Sequence, residues 1–530
     1  MKRREFLTTS TGVAVSTAVS RGQSVNGGSR PNILIVLVDQ LRTPRWFPAQ
    51  PELDRLLPNL TRIRQGAVAF KRHYTASNAC TAARACLLTG LYTHQSAMFI
   101  TGAGGFGVPL QTGFPTWGSL LRQSGYQTNW FGKWHISEGN SLEPYGFAGG
   151  TFPDPIGTPG QGARQDAGIV DQFAGWFANQ GSGQPWCTTV SLVNPHDIAF
   201  YPRLTNQFVL GSNAPTVFRS GPPNIESPED LVRNRKPRLQ RAFQESLDVF
   251  QGQIPLRGAP ADAAFARMLD WFLYCQQLVD VQVGRVLDIL ASDPGLAANT
   301  VVIFTTDHGE YGGSHGLRNK GAGAYEEAIH IPLYIKDPRG VLTRQPEAAR
   351  MQITSSVDIL PLLLTIATGG TTWRNQPGLA HLATRIDLAA IAANPGVPGR
   401  AYAIHATDEA LFDEFSLIPP PRLAADHVIA IVNDSGKYAT YSNWQDGTNQ
   451  IMASGMEYEA YDYATEPGRQ ELDNVAYSQP LRWRTWDEVL HRQAIPAELR
   501  RPLQPALQPV QEAAYASYFS FLQSLGPLNR

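Results

Sequence analysis

Four strand candidates, the first a nearly continuous apolar run rich in β-branched residues, each give way to polar or ionisable side chains. Asn32 to Val38 leads into Asp39-Gln40, and Gln127 to Phe131 into Gly132-Lys133-Trp134-His135. Cys187 to Val193 leads into Asn194-Pro195-His196-Asp197, and Val301 to Thr306 into Asp307-His308-Gly309-Glu310. A continuous apolar run of this length reads as a strand covered on both faces. Segments of helical spacing lie between them: Trp117 to Gln123, Ile169 to Ala178, Ala263 to Leu290 and Val357 to Ile366. Strands alternating with helices predict an α/β fold with a large, doubly wound, mostly parallel sheet. In such sheets ligands bind outside the carboxyl ends of the strands, so these polar residues are expected along one rim.

The chain has 530 residues, which suits one large domain with a smaller companion. The catalytic α/β domain is expected over 30–393. A linker, Asn394-Pro395-Gly396-Val397-Pro398-Gly399, precedes a C-terminal subdomain over 400–530. There Val428 to Val432 and Tyr438 to Tyr441 flank Asn433-Asp434-Ser435-Gly436, which predicts a hairpin in a short antiparallel sheet. A closing helix places Tyr515, Tyr518, Phe519, Leu522 and Leu525 on one side. Phe147 to Gly162, rich in Gly and Pro, reads as an irregular loop over a pocket, and 200–260 as an insertion of poor periodicity that shapes substrate access. A formal net charge of -1 argues against a nucleic-acid partner. Four cysteines are too few for a disulfide framework, and no apolar run is long enough for a transmembrane segment. Arg3-Arg4-Glu5-Phe6-Leu7, followed by a weakly apolar stretch, resembles a twin-arginine export signal over 1–29. It implies export by that machinery to the periplasm or beyond the cell.

One further stretch carries chemistry. From Cys80 on, Thr81-Ala82-Ala83-Arg84-Ala85-Cys86-Leu87-Leu88-Thr89 reads as a helix that Gly90 stops. Cys80 then sits at the helix N-terminus, where the dipole favours an anion. Arg84, four residues on, shares its face, with a fork able to hold the nucleophile and a substrate oxygen. Cys86 points elsewhere and reads as core. Cys80-Thr81-Ala82-Ala83-Arg84 with Thr89-Gly90 resembles the sulfatase motif C-x-(P/A)-x-R followed by T-G. Gly132-Lys133-Trp134-His135 is similar to the family's G-K-W-H, and Tyr461-Asp462-Tyr463 with Pro467 to a late family pattern.

The resemblance implies a sulfatase of the alkaline phosphatase superfamily, in the branch of choline-sulfatases and phosphonate monoester hydrolases. It implies that a formylglycine-generating enzyme oxidises Cys80 to formylglycine, the nucleophile. It assigns one divalent cation to Asp39, Gln40, Asp307 and His308. Three oxygen donors and an imidazole suit Ca²⁺ first, with Mn²⁺ or Mg²⁺ as alternatives. Arg84, Lys133 and Lys320 are implied to take up charge on the transferred group, His135 to serve the nucleophile as base or hydrogen-bond partner, and His196 to protonate the leaving oxygen. Thr101 stands where that branch often carries an Asn. The implied substrate is a small sulfate ester. Two other readings remain open: a phosphonate monoester or phosphodiester hydrolase using the same site, and an exported binding protein without activity.

Overall fold

The computed structural model describes residues 30–102, 107–181, 183–203, 214–409, 424–445, 447–478 and 480–524; the export segment and Leu525 lie outside these. Eight strands form the larger sheet. They are β1 (Asn32–Val38), β2 (Val68–Tyr74), β3 (Gln127–Gly132), β4 (Ala148–Gly149), β5 (Trp186–Ser191), β6 (Thr300–Thr306), β7 (His330–Lys336) and β8 (Arg350–Ser355), in the order β4-β3-β5-β1-β6-β7-β2-β8. β1, β5 and β6 are buried along their whole lengths, as central strands covered on both faces are. The chain leaves β1 for β2 on one side of the sheet and then crosses to β3 on the other. The point where the direction of winding reverses lies beside β1, and there a doubly wound sheet opens its binding crevice.

All neighbouring pairs are parallel except those of β7, which runs against both β6 and β2. An antiparallel neighbour needs no crossover helix. The 23 residues from Asp307 to Ile329 are therefore left to build the rim: they hold only two short helical turns, Ser314–Gly316 and Glu326–Ile329.

The second sheet is antiparallel, in the order β12-β11-β10-β9, from β9 (Ala403–Thr407), β10 (His427–Val432), β11 (Gly436–Ser442) and β12 (Glu457–Asp462). The expected hairpin is β10–β11, its turn closed by Asn433 N donating to Gly436 O at 2.9 Å. The last helix, Gln508–Ser524, sends Tyr515 and Tyr518 into the large domain's core, among Phe99 and Leu110.

The segment 200–260 differs from its reading as an aperiodic insertion. It contains the helix Arg238–Gln251, whose Leu239, Phe243 and Leu247 pack among Tyr74, Tyr325 and Tyr441 between the two sheets. The spacing of those three residues, i, i+4 and i+8, is helical; Arg, Gln and Glu fill most positions between them, so no apolar run stands out. Strands β2, β8 and β9 are likewise absent from the apolar-run reading, because polar residues such as Lys71 and Arg72 interrupt β2.

Candidate active site

The helix Cys80–Thr89 follows β2 and ends on Gly90, at φ 64 in the left-handed region where glycine is unstrained. Its N-cap, Ala79, has no capping side chain. Thr101 supplies what is missing: its Oγ1 accepts from Cys80 N at 3.1 Å, and Thr81 Oγ1 ties to Gly102 at 2.9 and 3.0 Å. Glu409 in turn accepts from Thr101 N at 2.7 Å. Cys80 is fully buried, with Sγ 3.0 Å from His308 Nε2. His308 Nδ1 lies 3.0 Å from Gly309 O, an acceptor only, so Nδ1 carries the proton and the Nε2 lone pair faces the sulfur. Cys86 is ordinary core; burial pushes its thiol up to about 12.

The ends of β1 and β6 bring Asp39 and Asp307 beside residue 80. Ligand atoms of Asp39, Cys80, Asp307 and His308 lie within 4.8 Å of one another. Arg84 braces this pair: Nε donates to Asp307 Oδ2 at 2.8 Å and Nη2 to Asp39 Oδ2 at 3.0 Å. Nη1 donates to Lys133 O at 2.7 Å and Ser191 Oγ at 3.0 Å. The fork expected to reach a substrate oxygen is thus engaged with the carboxylates. Asp39 Oδ1 is buried without a hydrogen-bond partner. A buried carboxylate oxygen left over beside a second carboxylate and an imidazole nitrogen fits a hard-to-borderline divalent cation. Gln40 follows Asp39 in the chain. Its N donates to Asp307 Oδ1 at 3.2 Å, and its Oε1 accepts from Lys320 Nζ at 3.1 Å.

The other strand ends close the cage. Lys133, after β3, pairs with Asp39 Oδ2 at 2.8 Å. His135, at φ 57, has its backbone N–H on Asp154 Oδ2 at 2.7 Å, and Trp134 N lies on Asp154 Oδ1 at 2.9 Å. His196, after β5, faces Lys320 Nζ through Nε2 at 3.1 Å. The Gly/Pro-rich loop does lie over the site: a Cβ on Gly157, at φ +105, would sit 2.8 Å from His196 Cε1 and 2.9 Å from Lys133 Nζ. Gln40, at φ 67, and Asn319, at φ 68, add to the left-handed backbone gathered here, which is typical of functional loops.

Charge follows from this packing. Burial would raise the Asp39 carboxyl, but Lys133, His196, Arg84 and His308 together hold it well below the usual carboxylate range. Burial, reinforced by Lys320 and Lys133, holds His196 well below an ordinary histidine, so it is neutral when no anion is bound. Burial also lowers His308 against the pull of Asp307, which suits a lone-pair donor. Every site residue expected from the strand ends is on this one rim. Asp154, Glu310 and Glu409 were not expected. Glu310 had a signal, since it follows Asp307-His308-Gly309 directly; Asp154 and Glu409 act through backbone N–H groups, which leave no side-chain pattern.

Comparison with known proteins agrees with this geometry. A family model described as Sulfatase matches residues 31–370. The chain is 28% identical over 371 residues to the uncharacterized sulfatase YidJ of Escherichia coli (strain K12), covering 64% of this chain and 68% of that protein. It is 26% identical over 378 residues to the choline-sulfatase of Rhizobium meliloti (strain 1021), covering 64% and 68%. In fold it is similar to the phosphonate monoester hydrolase SpPMH from Silicibacter pomeroyi, with a TM-score of 0.64 at 21% identity over 90% of this chain and 97% of that one. Since the match spans every strand end that feeds the rim, from Asp39 to Lys320, the chain belongs to the sulfatase family.

Proposed function

We propose that this protein hydrolyses sulfate monoesters of an alcohol or phenol at residue 80, after oxidation of Cys80 to formylglycine. The observation that carries the reading is the setting of residue 80: it heads a buried helix beside Asp39, Asp307 and His308, with Arg84 and Lys133 bonded to those carboxylates. A divalent cation held by Asp39, Gln40, Asp307 and His308 would supply Lewis acidity beside the nucleophile. Formylglycine would supply a hydroxyl that attacks sulfur and a second one that lets sulfate leave without attack by free water.

The chain's own groups have distinct tasks. Arg84 holds both carboxylates in place. Lys133 and Lys320 offer N–H donors to the equatorial oxygens, where charge builds in the transition state. His196 gives its proton to the departing oxygen. In the free site burial and the two lysines keep that proton off; the negative charge of a bound ester restores it, which couples protonation to binding. His135, at the same strand end as Lys133, serves the hydroxyls at residue 80. Export through the twin-arginine route, which carries folded proteins, would let oxidation and metal loading finish before translocation. Among the described residues no helix is long and apolar enough to cross a membrane.

The donor set also suits a rival substrate. Gln40 and His308 are neutral ligands, and the cage suits a singly charged tetrahedral centre, which sulfate monoesters share with phosphonate monoesters and phosphodiesters. Parallel assays with 4-nitrophenyl sulfate and a phosphonate monoester separate the two. Sulfate is expected to be the better substrate; a phosphonate rate about tenfold higher, a barrier difference of about 1.4 kcal/mol, reverses the assignment. Mass spectrometry of the Cys80 peptide from native-host protein should show the thiol replaced by an aldehyde. An unmodified thiol there, with no turnover of either ester, refutes both.

A further inference from the structure

We propose that Glu310 is a positioning residue that fixes which end of the Gln40 amide faces the cation, an inference that rests on the metal site proposed above. Glu310 is fully buried. Its Oε1 accepts two backbone N–H groups, from Gly312 at 2.9 Å and Asn319 at 2.8 Å, and its Oε2 accepts Gln40 Nε2. Gln40 Nε2 also donates to Asn319 Oδ1 at 3.3 Å, while Gln40 Oε1 takes Lys320 Nζ at 3.1 Å.

The two ends of an amide are nearly equal in size and differ in what they bond. A carboxylate ligand has no such ambiguity, so the problem is specific to glutamine. With Glu310 in place, turning the amide over would set its oxygen against a carboxylate and its NH₂ against the Lys320 ammonium. Both contacts are repulsive in a dry site, where electrostatic terms are large. Glu310 therefore keeps Gln40 Oε1 on the side of Lys320, the orientation in which the oxygen and not the NH₂ would be available to the cation. Because the same carboxylate holds Asn319 N–H, the residue before Lys320, it sets a metal ligand and a substrate-binding lysine together.

An isosteric exchange tests this. In Glu310→Gln, the backbone N–H groups of Gly312 and Asn319 hold the new amide's oxygen, so its NH₂ faces Gln40 NH₂ and drives Gln40 over. Gln40→Glu alone sets two carboxylates together. The double variant Gln40→Glu/Glu310→Gln restores one donor facing one acceptor, reversed. Mn²⁺ affinity of the full chain is measured by titration calorimetry, with the melting temperature in chelator as the control for folding. Glu310→Gln is expected to weaken Mn²⁺ binding about tenfold or more, and the double variant, whose carboxylate at position 40 has no wrong end, to recover to within about threefold of wild type or better. A Glu310→Gln protein that binds Mn²⁺ as wild type does, or a double variant no better than Glu310→Gln, overturns the inference and leaves the proposed function standing. Wild type that binds no divalent cation overturns both. If Glu310→Gln alone does not fold, the Gln40→Glu background decides: there Glu310→Gln must change Mn²⁺ affinity by less than about threefold, since no amide is left to turn, and a loss of about tenfold there overturns the inference.

Discussion

Removing the Arg84 guanidinium while keeping its stem tests the brace at the centre of the rim. Arg84 is fully buried and spans two carboxylates, Asp307 at 2.8 Å and Asp39 at 3.0 Å, with two further bonds to Lys133 O and Ser191 Oγ. In Arg84→Met the stem still fills space, but Asp307 Oδ2 loses this cation and Asp39 is left with Lys133 as its near ion pair. Breaking one side of a buried ion pair costs about 3–5 kcal/mol, because the remaining charge stays buried and uncompensated. Against a total stability of about 5–15 kcal/mol this is a large fraction. Urea unfolding at pH 7 in chelator should therefore show the midpoint falling with little change in slope, by an amount equal to about 3–5 kcal/mol. Arg84→Lys keeps the charge but offers one nitrogen where two carboxylates need two, so it should fall between. A loss under about 1 kcal/mol in Arg84→Met, as expected of an exposed pair, would show that Arg84 does not hold the carboxylates, and the electrostatic account of the rim would fail.

Thr101→Val removes the acceptor that caps Cys80 N–H and leaves a buried donor unsatisfied, so stability should drop by about 1–3 kcal/mol and turnover with it; unchanged stability and turnover would deny Thr101 its capping role. Two of the buried histidines away from the rim make stability fall in acid. Burial, chiefly, pulls His73 down to about 3 and His405 down to about 4. Unfolded, each titrates near about 6.5, so the unfolded state binds more protons as pH falls below that value. Their contribution is complete above about pH 6.5 and is lost toward the folded values. At pH 5 each should have cost about 2 kcal/mol, read as a lower urea midpoint than at pH 7.5. A midpoint that does not move over that range would refute the assignment.

Much of the fold is legible because local periodicity reports burial. β1, β5 and β6 are buried throughout, and the change to Asp39, His196 or Asp307 marks where each strand leaves the core. The helix Arg238–Gln251 is less legible: three apolar residues are enough to seat it, and the polar ones between them mask the stripe. Asp154 and Glu409 are opaque for another reason. They act by accepting backbone N–H groups of residues 134, 135 and 101, and any chain segment offers such groups.

The order of residues is enough to say that polar side chains end the strands, that Cys80 heads a helix, and that Arg84 shares its face one turn on, since strand and helix periods govern these over a few positions. It took the packed molecule to show that β7 runs against its neighbours, that the fork of Arg84 closes on Asp39 and Asp307, and that Glu310 meets Gln40 across 270 positions of chain. Those choices turn on which buried charge finds which partner once water is excluded. That is a property of the assembled rim, and no local stretch contains both halves of any such pair.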